Sequence, residues 1–482
     1  MMRWIIPLAA LAAAGCMIAP APPPTIAPAS AVGAFTGSSS GSIAPVPDDW
    51  WRLYDDPVLD RLVTASLAAN ADLRVAYANL DGARAALRLA RAQRLPQTFV
   101  ESAATVDNPA TQPSTSNVPA TDYDIAASAS WEVDLFGRLR SNTLAARADA
   151  DAQDAVVDGL RVAVAADTVL AYVDLCGATR AVGVAREVVG VQERAVAVLR
   201  DQLAAGEISP LEVSQGTSLL ETVRSTVAPF EAARANALYR LATLQGRPPA
   251  EAASLAIACA ASPRLRSVPV GDGQALLLRR PDIREAERRL AAAAARIGIA
   301  RADLYPRVNL GGALGLLAGG FTATATPFIS WAFPNQAPAR ARIAQARATE
   351  RAALAGWDAA VLRALREVKT ALAAYDAQLR SNRALGAARV EAERYARRAA
   401  ARVRLGDAAY LIQFDAERVR ADAALRQVQS DLIVAQAEVA LFRALGGGWR
   451  TGAPAHRRAR TALIVFSSRA ACPSHSTCIA AW

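Results

Sequence analysis

The stretch Arg280-Pro281-Asp282-Ile283-Arg284 has an earlier counterpart in the chain, Asn70-Ala71-Asp72-Leu73-Arg74. Each places a residue suited to a helix start before an acidic residue, which complements the helix dipole. Further matches follow in the same order in both halves. They are Leu80 with Leu290, Leu87 with Ile297, Pro96 with Pro306, Gly206 with Gly406, Leu211 with Leu411, and Leu238-Tyr239-Arg240 with Leu441-Phe442-Arg443. Ordered matches of this kind indicate an internal duplication.

Each half is predicted to contain a helix, a pair of strands, a very long helix, a tip turn and a long return helix. In residues 123–131 and 308–316, apolar side chains alternate with polar or small ones. This period of two predicts strands with one apolar and one polar face. The weaker partner strands are predicted at 99–106 and 328–333, and the linking loops at 107–122 and 317–327.

Proline is absent from residues 121–209, and only Pro454 and Pro473 follow residue 339. A helix of about 60 residues is about 90 Å long and needs packing partners along its whole length. Three apolar seams with 4-3 spacing are typical of coiled coils. The seams are Val184, Val188, Val191, Ala195 and Val198; Val361, Leu365, Val368, Leu372, Tyr375 and Leu379; and Leu425, Val428, Leu432, Ala435, Val439 and Phe442. We therefore predict a mainly α fold of long antiparallel coiled-coil hairpins with four β-strands.

The composition argues against most enzymes and against nucleic-acid binding. Much of the net charge of +10 comes from residues 450–482, which contain five arginines and no acidic residue. His456 and His475 also lie there, so the body of the chain offers no histidine base or metal ligand. Cys176 and Cys259 are interpreted as isolated cysteines without the spacing of a zinc site. We expect no catalytic residue, cofactor, metal or nucleic-acid partner; a carboxylate-only enzyme such as a glycosidase is the remaining enzymatic alternative.

The N-terminus predicts the compartment. Arg3 precedes an apolar run that is too short to span a bilayer, and small residues follow, so residues 1–15 are predicted to be a signal peptide. Cys16 stands where a lipoprotein is lipidated and begins its mature chain; an ordinary signal peptide with a chance cysteine is the alternative. Residues 16–48, rich in Pro, Ala, Ser and Gly, are predicted to be a lipidated terminus and extended tether.

The two strand pairs raise the question of where their apolar faces lie. Four strands are too few for a barrel, which needs about eight, and an open sheet edge is not tolerated in lipid. If the strands cross a membrane, several chains must share one barrel, with the long helices continuing from it as a tube. The polar face, with Asp124, Ser128, Ser130 and Asn309, would then line water. The same alternation also fits one face of a soluble sandwich.

Four stretches carry a resemblance to a known family. They are Trp50-Trp51 with Asp56-Pro57 and Leu59; Trp131-Glu132-Val133-Asp134-Leu135-Phe136-Gly137-Arg138; Leu277-Leu278-Arg279-Arg280-Pro281-Asp282-Ile283-Arg284; and Ala444-Leu445-Gly446-Gly447-Gly448-Trp449. In these stretches the chain resembles the TolC-like outer-membrane efflux proteins, specifically the NodT-type lipoprotein branch that serves resistance-nodulation-division (RND) pumps. The implied repeats are residues 49–270 and 271–449. The basic tail, 450–482, has no counterpart, and its Cys472 and Cys478 could pair in an oxidising compartment.

The resemblance implies a homotrimer in the outer membrane. Its fold would be a trimeric α/β barrel, with four transmembrane strands from each chain in a twelve-stranded barrel above a periplasmic helical tunnel. A periplasmic adaptor protein and an inner-membrane RND pump would be the partners. The duct itself would passively export small molecules or drugs and would not be an enzyme.

The resemblance also implies closure of the tunnel at its periplasmic tip, near the turns at Gly206 and Gly406. Asp415 matches one carboxylate of the family's gate, whereas the other expected acid falls on Ile412. Glu212, at the equivalent position in the first repeat, is the second gate candidate. Three copies of Asp415 around an axis would concentrate negative potential and favour cations, whereas an ordinary solvated aspartate is the alternative.

The principal alternative function is a lipid-anchored periplasmic coiled-coil adaptor or scaffold without a pore. Such a protein would share the long hairpins. It would lack paired strands with a continuous apolar face, and it would lack the stretch from Arg279 to Arg284.

Overall fold

The structure is a computed structural model that describes residues 23, 41–42, 46–106, 121–255, 257, 259, 268–270, 279–317 and 320–447. The predicted signal peptide, Cys16, most of the tether and the tail with Cys472 and Cys478 lie outside these residues. Most of the predicted loop at 107–122 lies outside them as well.

Eight α-helices form within the described part of the chain. They are α1 (Pro57–Ala69), α2 (Ala71–Ala92), α3 (Arg138–Ala204), α4 (Pro210–Arg224), α5 (Val227–Leu244), α6 (Pro281–Ala302), α7 (Ala337–Arg404) and α8 (Tyr410–Ala444). Short 3-10 helices span Trp50–Tyr54 and Pro249–Leu255. The predicted order of each half is confirmed, with one difference: the return helix of the first half is divided into α4 and α5, whereas α8 is continuous.

Six strands form two sheets in the same part of the chain. They are β1 (Gly41–Ser42), β2 (Gln97–Val106), β3 (Thr121–Val133), β4 (Val268–Pro269), β5 (Arg307–Leu317) and β6 (Gly320–Ser330). The larger sheet is antiparallel in the order β2-β3-β5-β6, and β1 pairs with β4 in parallel.

The prediction of a loop at 317–327 followed by a strand at 328–333 is wrong. Strand β6 begins at Gly320 and pairs with β5 along its whole length. Its Thr322, Thr324 and Thr326 alternate with Ala323 and Ala325, a pattern of period two with little contrast in hydropathy. Threonine is favoured in strands by its β-branched side chain, and cross-strand pairing with β5 compensates for the small alanines.

The predicted helix starts are confirmed by their caps. The Asn70 side chain accepts a hydrogen bond from the Leu73 amide at the start of α2. Pro281 is the first residue of α6, where its missing amide proton has no helical partner to lose. The two helices end at Ala92 and Ala302, shortly before the strands begin.

The two longest helices, α3 and α7, have 67 and 68 residues. Each is therefore about 100 Å long. The predicted seams of α7 and α8 are buried or half-buried throughout. These seams carry the packing of the second hairpin.

The seam of α3 is displaced by one position from the prediction near the tip. Val198 is 43% exposed, whereas Val196 and Leu199 are buried. Helix α4 approaches α3 closely at Gly216, where an added Cβ would lie 2.6 Å from the Leu199 Cδ1 atom. Leu199, rather than Val198, therefore faces the interface between α3 and α4.

The core lies near the middle of the long helices, where the N-terminal segment packs against them. Trp50 is fully buried and stacks on Phe442 of α8, with ring centroids 4.5 Å apart. The Tyr172 hydroxyl of α3 donates a hydrogen bond of 2.6 Å to Asp56. The segment before α1 is therefore fixed to both repeats.

Arg280 joins the repeat ends through charge-assisted hydrogen bonds. Its guanidinium is 9% exposed and donates to Asp282, to Glu367 of α7 and to the Ala444 carbonyl at the end of α8. The neighbouring Arg279 donates to Asp48. The Arg-rich stretch thus gathers the start of α6, the middle of α7 and the end of α8.

The interpretation of Cys176 and Cys259 as isolated cysteines is wrong. They form a disulfide bond, with Cα atoms 5.3 Å apart and a sequence separation of 83. Cys176 lies on α3, and Cys259 follows the 3-10 helix Pro249–Leu255. Sequence spacing alone does not predict this contact because it depends on how α5 returns along α3.

Among the helices that the structure describes, none combines the length and the apolar character needed to cross a membrane.

Replacing Arg280 by alanine should lower the free energy of unfolding by about 2 kcal/mol, because two carboxylates and a backbone carbonyl lose the buried guanidinium that donates to them. Urea denaturation followed by circular dichroism measures this change. Arg366→Ala, which removes an exposed arginine beside Glu367, is the control and should change stability by less than about 0.5 kcal/mol. Equal effects of the two substitutions would contradict the role of Arg280.

Candidate functional site

One face of the four-stranded sheet is apolar and open. The register pairs Ile125 with Leu316, Trp131 with Leu310, and Leu316 with Phe321, so these side chains lie on the same face. This apolar face comprises Val100, Ile125, Trp131, Leu310, Leu314, Leu316, Phe321 and Ile329. Val100 is 78% exposed and Phe321 73% exposed within the single chain. A continuous exposed apolar surface that extends across four strands marks contact with another protein or with lipid.

The opposite face is polar or small. The register places Ser128 beside Thr324 across Ala313, and Glu101 beside Ala126. This polar face comprises Glu101, Asp124, Ser128, Ser130, Asn309, Thr322, Thr324 and Thr326. Phe99 and Phe328 are exceptions on this face, near the end of the sheet that joins the helices. The predicted separation into one apolar and one polar face is therefore confirmed.

Both outer strands of this sheet have one free edge within the chain. Strand β2 pairs only with β3 and β6 only with β5 among the described strands. These edges are 10 and 11 residues long. Long edges leave rows of backbone donors and acceptors available for a further strand.

Aromatic side chains gather where the sheet meets the helices. The Trp131 and Trp331 indoles each donate a 3.0 Å hydrogen bond to a backbone carbonyl, of Arg94 and Leu304 respectively. Phe136 stacks on Tyr305, and Trp331 on Phe333, with ring centroids 4.7 Å apart in both pairs. This aromatic cluster was not predicted; the signal in the sequence was an aromatic residue just outside the strands of both halves. Amphipathic rings of this kind concentrate at membrane–water interfaces.

Gly206 and Gly406 end the long helices at the opposite end of each hairpin. Both have a left-handed backbone, with φ of 76° and 73°. The Glu207 amide bonds to the Gln202 carbonyl, and Asp407 to Arg402 likewise. This is the hydrogen-bond pattern of a Schellman C-cap, for which glycine is the favoured residue.

Asp415 lies in the second turn of α8 and is exposed. Its carboxylate accepts hydrogen bonds from the Arg418 guanidinium at 2.7 Å and from the Tyr395 hydroxyl of α7 at 3.3 Å. These two bonds, the one from Arg418 first, lower the pKa of Asp415 below its usual value. Asp415 therefore carries its negative charge throughout the neutral and mildly acidic range, and it links the two helices of the second hairpin.

Glu212 belongs to a capping box at the start of α4. Its carboxylate accepts hydrogen bonds from the Ser209 hydroxyl and amide, while Ser209 accepts from the Leu211 amide. The bond from the Ser209 side chain is the first cause of the lowered pKa of Glu212. Glu212 thus has a local structural role that was not predicted, although the pattern Ser-x-x-Glu at residues 209–212 is typical of a capping box.

A groove of about 600 Å³ separates α4 from α8 near the tip. Its lining is Ser214, Gln215, Ser218, Leu219, Thr222, Leu411, Phe414, Asp415 and Arg418. Of the gate candidates, only Asp415 lines it. Across the described residues, no group of three or more His, Cys, Asp or Glu side chains is arranged to hold a metal ion.

Comparisons with known proteins agree with this architecture. The family described as "Outer membrane efflux protein" matches residues 62–247 and 273–447, one segment in each repeat. The toluene efflux pump outer membrane protein TtgC of Pseudomonas putida is 30% identical over 432 residues, which are 86% of this chain and 88% of that relative. Nodulation protein T of Rhizobium leguminosarum bv. trifolii is 28% identical over 403 residues, covering 80% of this chain and 84% of that protein.

A solved structure gives the same result for the fold. The outer-membrane channel OprN matches with a TM-score of 0.79 and 34% identity, over 89% of this chain and 98% of that chain. The predicted fold class and family are confirmed by these matches. The chain therefore belongs to the outer membrane efflux protein family.

Proposed function

We propose that three copies of this chain form the outer-membrane duct of a tripartite efflux system and that the duct passes small molecules passively. The observation that carries the proposal is the four-stranded sheet with one apolar face, one polar face and two edges that pair with no other strand in the described part of the chain. No chemistry at the site is needed for passage, and we infer that the chain is not an enzyme.

The sheet supports a shared barrel on physical grounds. In lipid, each free backbone group of β2 and β6 would cost several kcal/mol if left unpaired. Pairing β2 of one copy with β6 of the next satisfies both edges. Three copies bring twelve strands, enough to enclose a water-filled lumen lined by the polar face. The aromatic cluster at Trp131 and Trp331 then lies at the periplasmic membrane surface.

The long hairpins then continue from the barrel into the periplasm. Helices α3 and α7 run about 100 Å from the sheet to the tip turns. We infer that the tips meet a periplasmic adaptor, which connects the duct to an inner-membrane RND pump. The adaptor-or-scaffold alternative leaves the apolar face of the sheet without a partner, so we do not favour it.

The N-terminus would supply a second attachment to the membrane. Gly41–Ser42 pairs with β4, whose Val268 belongs to the same core cluster as Tyr172. Tyr172 lies midway along α3, about 50 Å from the sheet. The 24 residues numbered 17–40 can span up to about 80 Å when extended. A lipidated Cys16 can therefore reach the inner leaflet of the outer membrane.

We further infer that Asp415 belongs to the periplasmic gate. Its carboxylate is exposed and ionised, and its bond to Tyr395 couples α7 to α8 close to the tip turn at Gly406. Three such carboxylates around one axis would attract cations. Glu212 is a second candidate, but unlike Asp415 it does not line the groove between α4 and α8.

The sheet assignment predicts different outcomes for two neighbouring residues of β6. Ala323→Arg, on the apolar face, should reduce the trimer recovered from outer membranes, because an arginine facing lipid near the bilayer midplane costs about 2–4 kcal/mol. Thr324→Arg, on the polar face, should leave the trimer near its normal level. Both positions are exposed in the single chain, which makes them a matched pair. Similar yields of trimer for the two variants would refute the proposed orientation.

The gate assignment predicts a change of ion selectivity. Asp415→Asn should shift the reversal potential in a planar bilayer towards lower cation preference, because three negative charges are lost. Glu417→Gln removes the same number of charges from another side of α8 and should leave the reversal potential unchanged. If Asp415→Asn has no effect, or both variants have the same effect, Asp415 is not at the gate.

Lipidation predicts that Cys16→Ser abolishes incorporation of radiolabelled palmitate. The variant should also leave an uncleaved or differently cleaved signal peptide, measurable by mass spectrometry of the mature N-terminus. Cys472→Ser serves as the control and should keep the label. Undiminished labelling of Cys16→Ser would rule out this anchor.

A further inference from the structure

The described part of the chain contains two cysteines, Cys176 and Cys259, and they form a disulfide bond with each other. Cys176 is 2% exposed and lies in the central core cluster with Tyr172 and Val173. Cys259 and Ile257 pack against the same cluster and against the smaller one around Leu241. The bond therefore joins a buried cysteine of the core to a half-buried cysteine that packs against it.

The position of this bond along the chain is informative. The loop that it closes contains the tip half of α3, the turn at Gly206, and helices α4 and α5. It therefore joins the middle of the outgoing helix α3 to the end of the returning arm, a level that we call the base of the first hairpin. The bond also fixes Cys259 at the start of the segment that leads from the first repeat to the second. Further along the same segment, β4 is held by its pairing with β1.

The second hairpin has diverged at this point. Gly406 lies 200 residues after Gly206, and at the same offset Asp376 of α7 is the residue of the second repeat that is equivalent to Cys176 of α3. Asp376 is buried and has polar partners, but it cannot form a covalent link. The continuous helix α8 packs along α7 there, whereas the first hairpin returns through the separate helices α4 and α5. The covalent bond thus occurs in the hairpin whose return arm is interrupted.

We propose that Cys176 and Cys259 are a substrate of a periplasmic thiol oxidase, and that their disulfide clamps the base of the first hairpin. This modification goes beyond the proposed transport function. The two thiols lose two protons and two electrons as the S–S bond forms. An oxidising disulfide of the oxidase accepts them and becomes a dithiol, through a mixed disulfide that the second cysteine thiolate resolves.

The clamp stabilises the folded chain mainly by restricting the unfolded one. Closing a loop across a sequence separation of 83 removes more chain entropy than closing a short loop. Its two ends are already held in the core, so the folded state needs little rearrangement to accept the bond. Reduction should therefore lower stability without changing the fold.

The first test maps the bond in the full-length chain purified from outer membranes. The protein is alkylated without reduction, digested and analysed by mass spectrometry. We expect a linked peptide pair containing Cys176 and Cys259 in the wild type and in the Cys472→Ser/Cys478→Ser control. Cys176→Ser or Cys259→Ser should abolish it.

In a host without its periplasmic thiol oxidase, alkylated thiols should replace the linked pair. Alkylated thiols at both positions in the normal host, or an undiminished pair in the oxidase-deficient host, would overturn the proposal.

The second test measures the clamp itself. A reducing agent should lower the thermal midpoint of the wild type and of the Cys472→Ser/Cys478→Ser control by about 5 °C. The Cys176→Ser/Cys259→Ser variant should start at the lower midpoint and show no response. An unchanged wild-type midpoint after confirmed reduction would contradict the clamp. Conductance and oligomeric mass of the same samples test the transport proposal separately, because a channel without the bond would still be a channel.

Discussion

The backbone edges of the four-stranded sheet impose the strongest constraint on this molecule. A single chain offers an apolar face that favours lipid, but lipid does not tolerate the unpaired edges of β2 and β6. A single chain therefore cannot place its apolar face in lipid and also pair both edges. Pairing between copies achieves both. The free edges thus connect the local alternation of side chains to the proposed oligomer and to its lumen.

Below the sheet, the two halves of the duplicated chain differ in their return arms. The first half returns through α4 and α5 and carries the Cys176–Cys259 bond, whereas the second returns through the unbroken α8 and carries Asp415. Arg280 and Trp50 join the two halves near the middle of the long helices. The tips lie about 50 Å from this shared core along the long helices, at the end opposite the sheet, which is a suitable place for a gate.

Much of the fold was predictable from the sequence because its signals are local. The caps at Asn70 and Pro281, the alternation in β3 and β5, and the seam of α7 each depend on neighbouring residues. Strand β6 was predicted to begin eight residues too late because alanine and threonine contrast weakly in hydropathy. The disulfide and the Asp415–Tyr395 bond were missed because each depends on the packing of separate elements.

Native mass spectrometry of the full-length protein released from lipid nanodiscs, combined with electron cryomicroscopy of the same sample, distinguishes a shared barrel from separate chains. We expect a complex of three chains whose density shows one closed barrel, with β2 of each copy beside β6 of the next. A single chain, or an oligomer in which the sheets stay separate and face solvent, would contradict it.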